Sequence, residues 1–407
     1  MTDTPHRLNR ISFAADVELF GLDEEAFVYS ADMQALFSLN MAATFIWRVC
    51  ETGRPLGEAI NRTAREFNLS PHDARIYVDS AVEEWRKNGL LEGSPRTQVD
   101  HRLRENTAPE TQPLVDAGKM LETRRYAVLD TIFAIGCQTA AQAMRLYAVV
   151  GHLEIAADVE RDNPQSIIAI TIVGEHGAQE LYADGYLIHR CDTLSELAPL
   201  IHWLVFSSAV RDDLFALQLH TAAVAREGRA LLLPGPAGSG KSTLSMALLD
   251  EGFGYMSDDI VVVERDSFLV RGLPFSICVK ESGLSLLDGG ASEISSHGLH
   301  LRSDGRRVHY RHPAAGSLTV EPQAAGWVMF PRYAPDAVGE LLAISPAEAL
   351  RRLLGLSAPP RSMSRHTAAA LIAWAADLRC CEFDFPDTRS AIEAIQEFCG
   401  RSFEDGV

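Results

Sequence analysis

Positive charge is scarce in this chain of 407 residues: 37 Lys and Arg stand against 55 Asp and Glu, a formal net charge of −18. That excludes a general binder of nucleic acid or anionic membrane, because either needs a cationic surface, although a local basic patch stays open. No apolar run approaches the roughly 20 residues that cross a bilayer, so no membrane partner is expected. The N-terminal stretch lacks an apolar h-region, so no signal peptide is expected. Seven cysteines form no C-x-x-C pair, and vicinal Cys380-Cys381 does not suit zinc spacing. Buried reduced thiols and a cytoplasmic location are the expectation. Internal repeats and low-complexity tracts are also missing. What is present is the profile of a folded protein, 47% apolar and 23% charged. The length calls for two or three domains.

Residues 1–92 read as a small α+β domain. Short strands are expected at 17–20 and 26–29. Asn40 can cap a helix from Met41 to about Glu51, residues 56–67 form a second helix, and Ser70 caps a third whose apolar positions run from Ala74 to Trp85. Residues 93–113 are polar, Pro-containing and aperiodic, which marks a linker. Residues 114–407 form the larger domain, with strands expected at 126–135, 166–173 and 180–189 and a helix at 194–210. Beyond a Gly-, Ser-, Arg- and His-rich stretch at 282–312 come a strand at 325–330 and helices at 346–354, 366–378 and 388–400. Ser345 to Glu348 is a capping box with Pro346 at the first helical position.

The chemistry concentrates at 216–280. Residues Gly235, Pro236, Ala237, Gly238, Ser239, Gly240, Lys241 and Ser242 match G-x-x-x-x-G-K-S/T, between an apolar strand run at 230–233 and a helix that starts near Thr243. Glycines let the backbone wrap so that successive N–H groups point at phosphate oxygens. Lys241 would reach the β- and γ-phosphates, and the Ser242 hydroxyl would ligate Mg²⁺. Asp258 and Asp259 follow at a strand end. Neighbouring strand residues face opposite ways, so one carboxylate can face a metal and the other an acceptor; a solvated pair of turn acids is the plainer alternative. A hairpin about Glu227-Gly228 that pairs Arg226 with Arg229 would set His220 opposite Gly235. An imidazole there could touch a γ-phosphate or orient an acid, or it could simply end a strand. In an acidic protein, Lys241, Arg271 and the Arg302–Arg311 segment are where cations gather. That last segment reads as a lid or acceptor cradle, or as a solvated loop.

The residues Leu219-His220-Thr221, GPAGSGKST at 235–243 and SDDIVVV at 257–263 resemble the catalytic domain of HPr kinase/phosphorylase, over about 205–335. The resemblance implies an α/β P-loop kinase that uses ATP and Mg²⁺. His220 matches the family's active-site histidine, Lys241 its loop lysine and Ser242 its metal ligand. Asp259 matches the aspartate that accepts the proton of the acceptor hydroxyl, with Asp258 as its partner at the metal. The family's metal-binding Glu is replaced by Leu269, so the site would be completed by Asp258 or Glu264. Members of that family are hexameric, which makes a homo-oligomer an expectation here.

Residues 15–92 resemble PqqD, a winged-helix-like domain that recognises leader peptides of ribosomally made, modified peptides. The carriers are Phe37 to Ala43, Ile46-Trp47 and Trp85 to Leu91. The resemblance implies a leader peptide added as a β-strand, at the strand 26–30 and the helix 72–88, and partnership with other enzymes of the same modification pathway. Together the two resemblances imply a kinase that phosphorylates a Ser or Thr hydroxyl of a captured precursor peptide. The alternatives are a kinase of an HPr-like protein or a small metabolite, and an ATP-gated peptide-binding chaperone without transferase activity.

Overall fold

The computed structural model describes residues 10–95, 118–156, 166–174, 177–211, 213–280, 298–358 and 362–400. Most of the expected linker and the first half of the 282–312 stretch lie outside the described residues. The chain divides into two compact units. One comprises Met1–Leu103, Ile344–Gly355 and Pro359–Cys380; the other comprises Arg104–Ala343, Leu356–Ala358 and Cys381–Val407. The larger expected domain is therefore not continuous in sequence.

The first unit opens with the antiparallel sheet β1 (Val17–Leu22), β2 (Glu25–Ser30) and β3 (Ala35–Leu39), in that order. Helices α1 (Met41–Glu51), α2 (Leu56–Glu66) and α3 (Pro71–Lys87) follow. Asn40 and Ser70 cap α1 and α3 through side-chain bonds to the N–H groups of Ala43 and Asp73. The helices close on Trp47 and Trp85, whose rings meet edge to face at 5.0 Å, with Phe13 stacked on Trp47 at 3.8 Å. Both indoles are almost wholly buried, and each contributes about 2–3 kcal/mol of burial. Strand 26–30, expected to accept an added strand, is instead the central strand, paired on both sides by β1 and β3. β1 and β3 are the edge strands of this sheet, and no described strand pairs the outer edge of β3.

The second unit begins with a six-stranded sheet: β4 (Glu122–Val128), β5 (Thr131–Cys137), β6 (Glu154–Ile155), β7 (Ser166–Val173), β8 (Gln179–Ala183) and β9 (Tyr186–Cys191), in the order β6-β4-β5-β7-β8-β9. The single strands expected at 126–135 and 180–189 are each hairpins. Leu129 adopts φ 51°, and Asp184-Gly185 turns with φ 48° and 81°, values that only tight turns require. Helices α4 (Ala140–Val150) and α5 (Leu197–Ala209) pack with this sheet, and their core runs on without a break through Phe215, Val262, Phe275 and Tyr310.

The rest of that unit is built on β10 (Phe215–Arg226) and β11 (Arg229–Pro234). Next come α6 (Lys241–Asp250), β12 (Gly254–Ser257), β13 (Ile260–Glu264), β14 (Val270–Gly272), β15 (Ile277–Lys280), β16 (His300–Leu301), β17 (Arg307–Arg311), β18 (Ala324–Tyr333) and β19 (Leu341–Ala343). The chain continues through α7 (Pro346–Leu356), β20 (Ser357–Ala358), α8 (Arg365–Ala376), β21 (Arg379–Phe385) and α9 (Thr388–Gly400). The main sheet runs β14-β13-β10-β11-β18-β21-β19, with β12 and β20 also on β10. In the described part of the basic segment, β17 is the middle strand of a small sheet, β15-β17-β16, and residues 302–306 form the exposed turn between β16 and β17.

Helices α7 and α8 explain why 344–355 and 359–380 join the first unit. All of β2 is buried, so both of its faces are covered. Val28 faces the core of α1 to α3. On the other face, the Tyr29 hydroxyl donates to the Met363 carbonyl at 3.0 Å and Glu25 meets Arg351 at 3.3 Å. Asp23 accepts from the Ala347 N–H at the start of α7, and Arg365 grips Glu18 through two bonds. Polar groups of the small sheet and its first turn thus find partners that lie more than 300 residues away in sequence.

Candidate functional site

The site lies at one end of β10, β11 and β13. Arg226 pairs with Arg229 and Thr221 with Pro234, so the hairpin register carries His220 to the level of Gly235, as its turn implied. His220 also pairs with Ile260 at the start of β13, which brings it to the Asp258-Asp259 step. Its Nδ1 donates to Oδ1 of Asp259 at 3.0 Å, with the two side chains 51% and 34% exposed. The pair is therefore held in place yet open to a substrate.

Gly235 to Gly240 link β11 to α6, with Pro236, Ala237 and Gly238 exposed at the tip and Ser239 buried, as is Lys241 at the start of the helix. Ser242 and Thr243 follow Lys241 in the first turn of α6 and are half-buried. Gly240 has φ 99°, and a Cβ there would lie 2.7 Å from the Phe385 ring; conformation and space both demand glycine. Lys241 donates from Nζ to the carbonyls of Gly235 and Pro236 at 2.5 and 3.0 Å, folding back over the loop. Burial lowers its pKa; the charge of Lys280 adds to this, while Asp259 and Asp258 act in the opposite sense. Lys280, a residue without a firm role in the sequence, thus joins the cationic side of the site.

The two carboxylates differ sharply. Asp258 is buried; its Oδ2 accepts from the Cys278 N–H at 2.8 Å, and its Oδ1 lies 3.3 Å from the Tyr255 hydroxyl. That hydroxyl donates its proton to the Phe275 carbonyl at 2.8 Å, so its oxygen can accept one from Asp258. Burial, with the neighbouring Asp259 charge, pushes Asp258 up to about 7. Burial also pushes on Asp259, but the His220 hydrogen bond and the charges of His220, His202 and Arg302 outweigh it and hold that carboxyl below its usual range. One acid is poised to carry a proton near neutrality while its neighbour stays ionised.

His202 and Arg302 complete the surroundings. His202, on α5, stands edge to face with Phe275 at 4.5 Å, and burial lowers its pKa against the pull of Asp259. Periodicity gave no signal for it, because His202 falls on a helix some way before the chemistry begins. Arg302, in the turn between β16 and β17, brings a charge of the basic segment to bear on Asp259. Arg271 is not part of the site: it pairs with Asp130 at 2.7 Å and with Glu264 at 3.6 Å. Glu264 ends β13 opposite the Asp259 end, about 17 Å from Asp259 along an extended strand. It does not complete a metal site there.

Among the described residues, no group of three or more His, Cys, Asp or Glu could hold a metal, and no helix is long and apolar enough to cross a membrane. All seven cysteines are free thiols, six of them buried.

The fold and site define a mixed α/β protein in which a strand–loop–helix with a buried lysine faces a His–Asp pair, joined in one chain to a small three-stranded, three-helix module. That module is a PqqD domain: residues 25–91 match the family described as Coenzyme PQQ synthesis protein D. No curated protein matches the chain. The solved structure described as TbiB1 in complex with the TbiA(beta) leader peptide is 18% identical, aligns with 21% of this chain and 99% of that chain, and has a TM-score of 0.20.

Proposed function

We propose that the chain is an ATP-dependent kinase of HPr-kinase type that phosphorylates a Ser or Thr hydroxyl of a ribosomally made precursor peptide held by its PqqD domain. The observation that carries the reading is the His220–Asp259 hydrogen bond of 3.0 Å beside Lys241 and the Gly235–Ser242 loop. Loop N–H groups and Lys241 would hold the phosphates and stabilise charge on the transferred group. Lys241 must first release the Gly235 and Pro236 carbonyls, which triphosphate oxygens would replace as its partners. Asp259, kept ionised, would accept the proton of the attacking hydroxyl; the new O–P bond forms as the bond from the γ-phosphorus to the β-bridging oxygen breaks, leaving ADP. His220 would orient Asp259 and stand at the γ-phosphate.

A hydroxyl and neighbouring carboxylates are hard oxygen donors, which suits Mg²⁺, an ion commonly held by one or two carboxylates together with substrate phosphates. Ser242 and Asp258 would hold it, and when bound it would neutralise phosphate charge. For the peptide, the β3 edge and α3 offer the place for an added strand, with Ile76 and Tyr77 exposed on that helix. The test is incubation with ATP, Mg²⁺ and candidate Ser/Thr-containing precursor peptides that the chain binds, comparing wild type with Asp259→Asn. The expected result is transfer by the wild type only; equal transfer by the variant would remove Asp259 from the mechanism.

A further inference from the structure

The strands on the far side of the loop from His220 end beside it. β18 runs parallel to β11, so its carboxyl end lies at the loop edge of the sheet. The Pro331 carbonyl is 3.6 Å from the place a Cβ on Gly235 would occupy. Phe385 ends β21 against Gly240, and its carbonyl accepts from the Ala334 N–H at 3.0 Å, so the carboxyl ends of β18 and β21 meet. At that meeting point stands Tyr333, 53% exposed, its ring 5.8 Å from that of buried Phe385. Phe385 in turn stacks on Phe383.

In open α/β sheets, ligands sit outside the carboxyl ends of the strands. The His220–Asp259 pair lies on the β10 and β13 side of the loop, whereas β18 and β21 lie on the other side. A nucleotide whose γ-phosphate faces Asp259 must therefore carry its nucleoside over β18 and β21. An exposed ring on a strand end, held at its side by the tilted ring of buried Phe385 (interplanar 59°), offers an open π face there. We propose that Tyr333 is the platform on which the nucleobase stacks. This rests on the nucleotide-binding reading above. Stacking is tolerant of base identity, because every base has a π face.

The experiment is calorimetric titration of the full chain, in Mg²⁺, with two probes: ATP and inorganic tripolyphosphate. Tyr333→Ala should weaken ATP binding about tenfold and leave tripolyphosphate unchanged, and Tyr333→Trp should bind ATP at least as well as wild type. Lys241→Ala should weaken both probes. ATP binding by Tyr333→Ala equal to wild type, or an equal loss for both probes, would overturn the subsite while leaving the phosphate loop intact. Failure of the wild type to bind either probe would overturn the nucleotide reading and the subsite with it.

Discussion

Asp258 gives the sharpest physical test of the site. Asparagine in its place keeps the size, can accept from the Cys278 N–H through its carbonyl, and can donate from its amide to the Tyr255 oxygen, as a protonated Asp258 does. It cannot ionise. The folded-state pKa of Asp258 is raised from 3.8 to about 7. A raised carboxyl contributes its full stability below pH 4 and loses it as pH rises through 7. The gap of about three pH units corresponds to about 4 kcal/mol at 1.36 kcal/mol each. With a chelator present, Asp258→Asn should match wild type near pH 4 and become more stable by up to about 4 kcal/mol at pH 8. In a unit of this size that is on the order of 10 °C in the melting midpoint. The same variant should lose Mg²⁺-dependent transfer. Thermal denaturation across pH 4–8 reads the first effect. A wild type and variant with parallel pH dependence would refute the buried-carboxyl argument.

Three other perturbations follow from the same geometry. Gly240→Ala forces a Cβ to 2.7 Å from Phe385 at φ 99°; it should cost about 1–3 kcal/mol of stability and at least tenfold in ATP affinity, read by melting and titration. His220→Ala removes the hydrogen bond that holds Asp259 down while desolvation remains; the acid limb of the pH–rate profile should move to higher pH, and an unmoved limb would mean His220 does not set the Asp259 charge. Tyr29→Phe loses the bond to the Met363 carbonyl and should destabilise the first unit by about 1 kcal/mol. Removal of residues 1–92 should be more damaging still, because α7 and α8 would lose Glu25, Tyr29 and Glu18. Such a truncation cannot serve as a clean test of whether the PqqD domain is dispensable; an unchanged melting profile would contradict this packing.

Legibility followed the range of the interaction. The hairpin at Glu227-Gly228, the caps at Asn40 and Ser70 and the strand–loop–helix at 230–250 are set by neighbours in sequence, and all could be read there. His220 opposite Gly235 followed from a single register. The Asp184-Gly185 turn is equally local, yet the strand expected at 180–189 runs across it; at Leu129-Asp130 a leucine at positive φ gives no turn signal. What needed three dimensions was the assignment of 344–355 and 359–380. Their helices are ordinary amphipathic segments, and nothing local says that their partners are Glu25 and Tyr29. His202 and Lys280 likewise join the site only through the packing of α5 and β15. The edge strand was misplaced for a related reason: pairing order in a sheet is a long-range property, and the apolar run at 26–30 is apolar because it is central.

The central claim is phosphoryl transfer to a captured peptide. Intact-mass spectrometry of the precursor peptide after incubation with ATP, Mg²⁺ and the full chain tests it most directly. A gain of one phosphoryl mass on a Ser or Thr is expected, absent with Asp259→Asn and reduced when the leader is removed from the peptide. ATP binding with no mass change on the peptide would contradict it.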